Sequence, residues 1–288
     1  LESKISIKNL KYLVLFKVIL ILFLFGTNSF SNPSINEELE KIEEFDFSSA
    51  QSCLNTFGKE EVTSEKEYYV IGHAYGNHTG LNEGLSESIL DYFSQKNENI
   101  ILTGDIVRSN NSENLKKVKN QLSKRFNNFY ISVGNHDLSK EFYEEFEEDL
   151  HLISEKGVDF VIANFSTESW LPNLEDQEKI NNFLEISNNE IIIMFSHQLF
   201  WVNLINNEIT PNGFDLLNKE LKANPFDWMN LQNKKLIVVS GDYGIEASFF
   251  CRYLEDRNIV LVANGIYDNV NDKILKIATG QNSYSIEI

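Results

Sequence analysis

Five times along this chain a short apolar run breaks off at a glycine or serine, and a polar side chain follows at once. The runs 68–71, 99–102, 129–133, 190–195 and 235–239 lead to Gly72-His73, Gly104-Asp105, Gly134-Asn135-His136-Asp137, Ser196-His197 and Gly241-Asp242. None alternates strictly between apolar and polar residues, which is the pattern of strands covered on both faces. A sixth run, 160–164, has the same character, and helical patterns fill 81–95, 112–126, 140–150, 175–186 and 214–222. Strands alternating with helices predict an α/β fold around a largely parallel sheet. Ligands bind outside the carboxyl ends of such strands, so the five polar turns are placed to converge on one site.

The last fifty residues differ. Runs at 248–253, 259–263, 273–278 and 284–288 have little helix between them and predict an antiparallel portion that closes a second sheet. The expected architecture is a four-layer α/β/β/α sandwich over residues 67–288. A short polar helix at 35–45 and a following loop make 32–66 an extension. The 21 Phe and 11 Tyr supply enough apolar bulk for a two-sheet core. With only 14 Gly and 4 Pro, and no repeat, linker-rich chains, solenoids and propellers are excluded.

Singly, each polar residue has a plain structural reading. Gly-Asp is a common turn, Asn135 can simply supply left-handed backbone, and His197 can be a satisfied core histidine. The tetrad Gly134-Asn135-His136-Asp137 after a strand is more specific, with Gly-Asp one unit earlier and a strand-end His later. In order and spacing these elements resemble the calcineurin-like metallophosphoesterases. That family's pattern runs Asp-x-His, Gly-Asp, Gly-Asn-His-Asp/Glu, a strand-end His and Gly-His-x-His. The middle three elements match as Gly104-Asp105, Gly134 to Asp137, and His197. A softer match is Glu175-Asp176-Gln177 with Phe183-Leu184. The resemblance spans residues 67 to 280.

Two elements depart from that pattern. His73-Ala74-Tyr75-Gly76-Asn77 stands in place of Asp-x-His-Gly-Asn, and Gly241-Asp242-Tyr243-Gly244 in place of Gly-His-x-His. The resemblance implies two metal positions. One would be built from His73, Tyr75, Asp105 and Gly244, of which Gly244 has no side-chain donor and neutral Tyr75 is a poor ligand. The other would use Asp105, Asn135, His197 and Asp242, all competent oxygen or nitrogen donors for Mn, Fe, Zn or Mg. The second position is therefore intact and the first depleted. By the same resemblance His136 protonates the leaving group. Asp137 is expected to orient the His136 imidazole, and His73 to assist as base or ligand where a second ion would otherwise act. His78 and His151 are assigned surface roles. Trp170, Phe200, Trp201 and Trp228 fit either a cleft wall or a core.

Three functional classes stay open. The first is an exported phosphomonoesterase or phosphodiesterase, a metal-dependent hydrolase acting on a phosphoester substrate. The second is a non-catalytic relative that binds a ligand or partner in envelope or polysaccharide assembly, and the third is metal chemistry on another substrate. The formal charge of −18 excludes a nucleic-acid polymer as partner, because phosphate-backbone binding needs a basic surface. Any phosphate chemistry must then lean on a metal rather than on Lys and Arg.

Lys4, Lys8 and Lys11 precede an uninterrupted apolar run after Lys17, and Ser29 and Ser31 follow at the spacing of a signal-peptidase site. Residues 1–31 therefore read as a signal peptide, and the protein as periplasmic or secreted. The alternative is an N-terminal membrane anchor with the domain facing outward. Cleavage would remove four Lys against one Glu and take the formal charge from −18 to −21. The two cysteines, Cys53 and Cys251, allow one disulfide or two buried thiols.

Overall fold

The computed structural model describes residues 47–58, 62–77, 83–94, 97–206, 208–209, 221–243, 249–268, 272–280 and 283–288. Two sheets form the centre. The first holds β1 (Lys66–Gly72), β2 (Asn97–Thr103) and β3 (Phe126–Ile131) in parallel. The second holds β4 (His151–Glu155), β5 (Val158–Ile162), β6 (Ile191–Ser196), β7 (Lys235–Ser240), β8 (Phe249–Leu254) and β9 (Ile259–Asn264). β10 (Leu275–Gly280) and β11 (Ser283–Glu287) return to the first sheet, so the orders are β11-β10-β1-β2-β3 and β4-β5-β6-β7-β9-β8.

Side-chain parity explains the layers. Ile71, Ile100, Leu102 and Ile131 cover the outer face of the first sheet, packed with Ile89 of α2 (Glu87–Tyr92) and Phe142 of α4 (Lys140–Phe146). Leu115, Val118 and Leu122 of α3 (Ser112–Arg125) complete that layer at helical spacing. Ile192, Met194, Leu236 and Val238 do the same for the second sheet, against Ile180 and Leu184 of α5 (Leu174–Ile186). The residues of opposite parity, Val70, Ile101, Ile193, Phe195, Ile237 and Val239, are all buried. The sheets meet where the Tyr68 ring stands edge-on to Phe160 at 4.8 Å. With both faces covered, the inner strands β6, β7 and β9 are apolar along almost their whole length. The protein is the four-layer α/β/β/α sandwich expected.

The closing strands need a correction, because they do not together complete the second sheet. Only β8 and β9 do so, β9 parallel to β7, while β10 pairs antiparallel with β1, Tyr68 facing Ile277. Strand β4 was not foreseen. The segment read as helix to residue 150 ends at Phe146, and Gly157, at φ 89°, turns β4 back into β5. The helix expected at 81–95 is Glu87–Tyr92, started by Ser86, whose hydroxyl accepts from the Ser88 N–H. The helices expected at 35–45 and over most of 214–222 lie outside the described residues.

Helix α1 (Phe47–Leu54), within the stretch read as an extension, is tied to the sandwich. Cys53 forms a disulfide with Cys251 of β8, Gln51 donates to the Ile286 carbonyl, and the Ile286 N–H donates to Asn55 Oδ1 at 3.1 Å. Among the described residues no helix is long and apolar enough to cross a membrane. The apolar run after Lys17 lies outside them.

Candidate metal centre

The carboxyl ends of β1, β2, β6 and β7 deliver His73, Asp105, His197 and Asp242, and the loop after β3 brings Asn135 and His136. His73 and Asp105 sit in left-handed backbone, at φ 50° and 52°. Non-glycine residues hold that conformation at a cost of about 1–3 kcal/mol. The surroundings impose it. The Tyr75 N–H donates to the Asp105 carbonyl at 2.9 Å and the Ala74 N–H to that of Gly104 at 3.4 Å, which closes the first two loops onto each other. The third loop approaches as closely, since a Cβ on Gly134 would overlap Asp105 N and Oδ1. The fourth and fifth are joined where the Asp242 N–H donates to the His197 carbonyl at 2.9 Å. Behind them the Trp201 indole N–H donates to Ser240 Oγ at 2.8 Å, and Ser240 shares a 2.7 Å bond with Ser196.

Both histidines have their tautomer set by a main-chain carbonyl. His197 Nδ1 lies 3.0 Å from the Thr103 carbonyl oxygen, and His73 Nδ1 lies 3.1 Å from that of Ile266. A carbonyl oxygen only accepts, so each Nδ1 carries a proton, and in the neutral tautomer this selects Nε2 turns a lone pair the other way. The His197 lone pair meets Asn135 Oδ1 at 2.9 Å, Asp105 Oδ1 at 3.4 Å and Asp242 Oδ1 at 3.9 Å. That of His73 meets Asp105 Oδ2 at 3.7 Å. These are electron pairs aimed at electron pairs, in a pocket where His73, Asp105, His197 and Asp242 are all at most 2% exposed. A shared proton or a cation relieves such an arrangement. Imidazole nitrogens oriented by backbone carbonyls are the usual support of a metal ligand.

Among the described residues no group of three His, Cys, Asp and Glu side chains forms a metal cage by itself. The fit rests instead on the donor chemistry, with the Asn135 amide oxygen as the nearest member. Two donors each about 2.1 Å from one ion lie about 3.0–3.4 Å apart. Asn135 and Asp105 meet that spacing to His197, whereas Asp242, at 3.9 Å, stands slightly outside it.

One expectation is corrected, and the reading of Tyr75 as a neutral side chain is kept. Asp137 does not orient His136, because its carboxylate is turned into the backbone. It accepts from the N–H groups of Ile106 at 2.9 Å, Val107 at 3.3 Å and Gly134 at 2.9 Å. Burial, and then the Asp105 charge, outweigh those bonds and push its pKa up to about 7. The His136 ring is held instead by the Arg108 carbonyl, 3.1 Å from Nδ1, and stands edge-on to Tyr75, ring centroids 5.4 Å apart. Tyr75 is buried beside His73, ring centroids 4.4 Å apart, and burial, followed by Asp105 and Asp242, pushes its pKa far up. In the metal-free protein the phenol therefore stays neutral. His78 and Gly244 lie outside the described residues.

The other candidates lie away from this centre. His151 is on β4 against Tyr130, ring centroids 5.3 Å apart, and burial lowers its pKa. Asp176 and Gln177 serve the start of α5, bonding Asn173 and the Pro172 carbonyl, and Leu184 is core. Trp170, Phe200 and Trp201 belong to the core outside the second sheet, with Trp228 packed against it, so core packing explains all four. Sequence reading missed Gln198, buried beside His197, whose Nε2 lies 3.3 Å from Asn135 Oδ1. It also missed Asp268 beyond β9, which accepts from Ser86, Ser88 and the Asn77 N–H and so braces the loop after β1. Nothing in the sequence singled Asp268 out, since the run 259–263 ends in Asn264-Gly265, the reverse of the order at the other strand ends, and Asp268 follows three residues later.

The sequence matches the calcineurin-like phosphoesterase family over residues 73–266. No curated protein is similar enough to match it. Similar solved structures include a single mutant of Vps29 from Entamoeba histolytica, 11% identical with a TM-score of 0.33, covering 77% of this chain and 97% of that chain. Vacuolar Protein Sorting 29 from Cryptosporidium parvum is 8% identical with a TM-score of 0.34, covering 77% of this chain and 95% of that chain.

Proposed function

The chain belongs to the calcineurin-like phosphoesterase family, and from that premise we propose that it is an exported metal-dependent phosphoester hydrolase with one complete metal position. The observation that carries this reading is the convergence of Asn135 Oδ1, Asp105 Oδ1 and Asp242 Oδ1 on the His197 Nε2 lone pair. Those four residues would hold the ion. Their mixture of imidazole, carboxylate and amide suits Mn, Fe, Zn or Mg. A divalent cation bound there supplies Lewis-acid polarisation of a phosphoryl oxygen and acidifies a bound water.

The chain's own residues divide the remaining work. His136 stands half-buried at the open side of the site, and its Nδ1–H is held by the Arg108 carbonyl. Protonated also at Nε2, it is placed as the acid that hands a proton to the departing oxygen. His73 keeps an Nε2 lone pair on the side of Asp105, 3.7 Å from Oδ2, and is placed to take a proton from the attacking water and release it to solvent before the next turnover. Asp137 holds the backbone of the Asp105 and Asn135 loops in register. The Cys53–Cys251 disulfide supports export, since such bonds persist in oxidising compartments.

One observation favours a second reading, ligand binding without turnover. Neutral Tyr75 takes the place of a ligand on the His73 side, which leaves that side short of donors. Turnover of a chromogenic aryl phosphate monoester and diester by purified protein, with and without added Mn²⁺, separates the two. Hydrolysis that appears with Mn²⁺ and drops at least about a hundredfold in His136→Ala supports the hydrolase. Stoichiometric Mn²⁺ uptake with no cleavage of either ester supports the binding role.

A further inference from the structure

We propose that Gln198 is a positioning residue that fixes which end of the Asn135 side-chain amide faces His197, and so makes Asn135 an oxygen ligand. This rests on the metal position proposed above. An asparagine amide has two nearly isosteric ends. Turned over, Asn135 would present its NH₂ to the His197 Nε2 lone pair, a good hydrogen bond that puts a donor where a cation needs an acceptor.

A chain of fixed polarities prevents that. It begins at the Val133 carbonyl, which can only accept, and takes the one hydroxyl proton of Ser166 at 2.8 Å. With its proton committed, Ser166 Oγ can only accept from elsewhere. The atom facing it at 3.4 Å, Gln198 Nε2, must therefore belong to the NH₂ end of that amide. The same NH₂ lies 3.3 Å from the Asn135 side chain, so the Asn135 atom there must be the oxygen, the atom 2.9 Å from His197 Nε2. Polarity thus passes from a main-chain carbonyl just past β3, through Ser166 beyond β5 and Gln198 beyond β6, to a ligand in the loop after β3.

Gln198 is 1% exposed, and its Oε1 is buried with no hydrogen-bond partner among the described residues. An amide left half-satisfied in a core is disfavoured unless its other end has a task that fixes the orientation. The backbone holds the residue as well, since Ser196 Oγ donates to the Gln198 carbonyl at 3.1 Å.

Calorimetric titration of the purified full chain with Mn²⁺ alone, beside thermal melts of the metal-free proteins, tests the role. Gln198→Leu should weaken Mn²⁺ binding about ten-fold or more, with a metal-free melting temperature within about 4 °C of wild type. Ser166→Ala should weaken it in the same direction, and Ser166→Thr, which keeps the hydroxyl, should restore it. The Ser166 pair carries the test if Gln198→Leu does not fold. Wild-type Mn²⁺ affinity in both Gln198→Leu and Ser166→Ala overturns the positioning role while leaving the metal position standing. A wild-type protein that binds no Mn²⁺ overturns both.

Discussion

His73 and Asp105 combine left-handed backbone, near-complete burial and a shared carboxylate–imidazole contact, and the same crowding governs Asp137, bonded to the backbone just past Asp105. Three N–H groups favour its ionised form, yet burial and the Asp105 charge prevail, raising its pKa from 3.8 to about 7. The folded metal-free protein therefore binds a proton that the unfolded chain releases. Its contribution to stability is full below about pH 4 and is lost as the pH climbs through about 7. Melting curves of metal-free wild type and Asp137→Asn between pH 4 and 8 check this. Wild type should lose stability relative to the variant as the pH rises, and parallel profiles would contradict it. Asp137→Asn should itself be destabilised by about 1–3 kcal/mol, because an amide NH₂ cannot accept from all three donors. At this scale Asp105, Asn135, His197 and Asp242 were legible in sequence because each follows the end of a strand run. Gln198 and Ser166 were not. Their part depends on which atom of an amide or hydroxyl faces which neighbour, and that is settled only when two sheets meet.

The elements show the same division. The inner strands and α3 and α5 could be read from composition and periodicity because both faces of each strand are covered and the two helices carry buried residues at helical spacing. Sheet membership could not, because β10 and β8 are equally apolar and only the return of the chain beside β1 assigns β10 to the first sheet. Nothing local marked α1 as part of the sandwich either, and its attachment runs through a cross-link spanning 198 positions. Closing a loop of that length restricts the unfolded chain by an amount worth up to about 5 kcal/mol on the chain-entropy account. Reduction, or Cys53→Ser with Cys251→Ser, should lower the melting temperature measurably and expose α1 to protease first. A melting temperature indifferent to reductant would remove α1 from the stabilising framework.

At the scale of the molecule, charge and site pull in opposite directions. A formal charge of −18 surrounds a centre proposed to take an anionic ester. Long-range repulsion then slows encounter, and salt relieves it, since the screening length shortens from about 30 Å at 0.01 M to about 8 Å at 0.15 M. The second-order rate for an aryl phosphate should therefore rise over that range, on the order of twofold, whereas a basic site would show a fall. Initial rates at subsaturating ester across a salt series decide the sign.

All of this depends on Asp105, Asn135, His197 and Asp242 forming one place for one ion. The most direct measurement is metal content after dialysis against Mn²⁺, by elemental analysis of wild type beside Asp105→Ala and His197→Ala. One equivalent per chain in wild type, lost from both variants while they remain folded, is the result predicted here. A wild type without metal, or variants that keep a full equivalent, would contradict it.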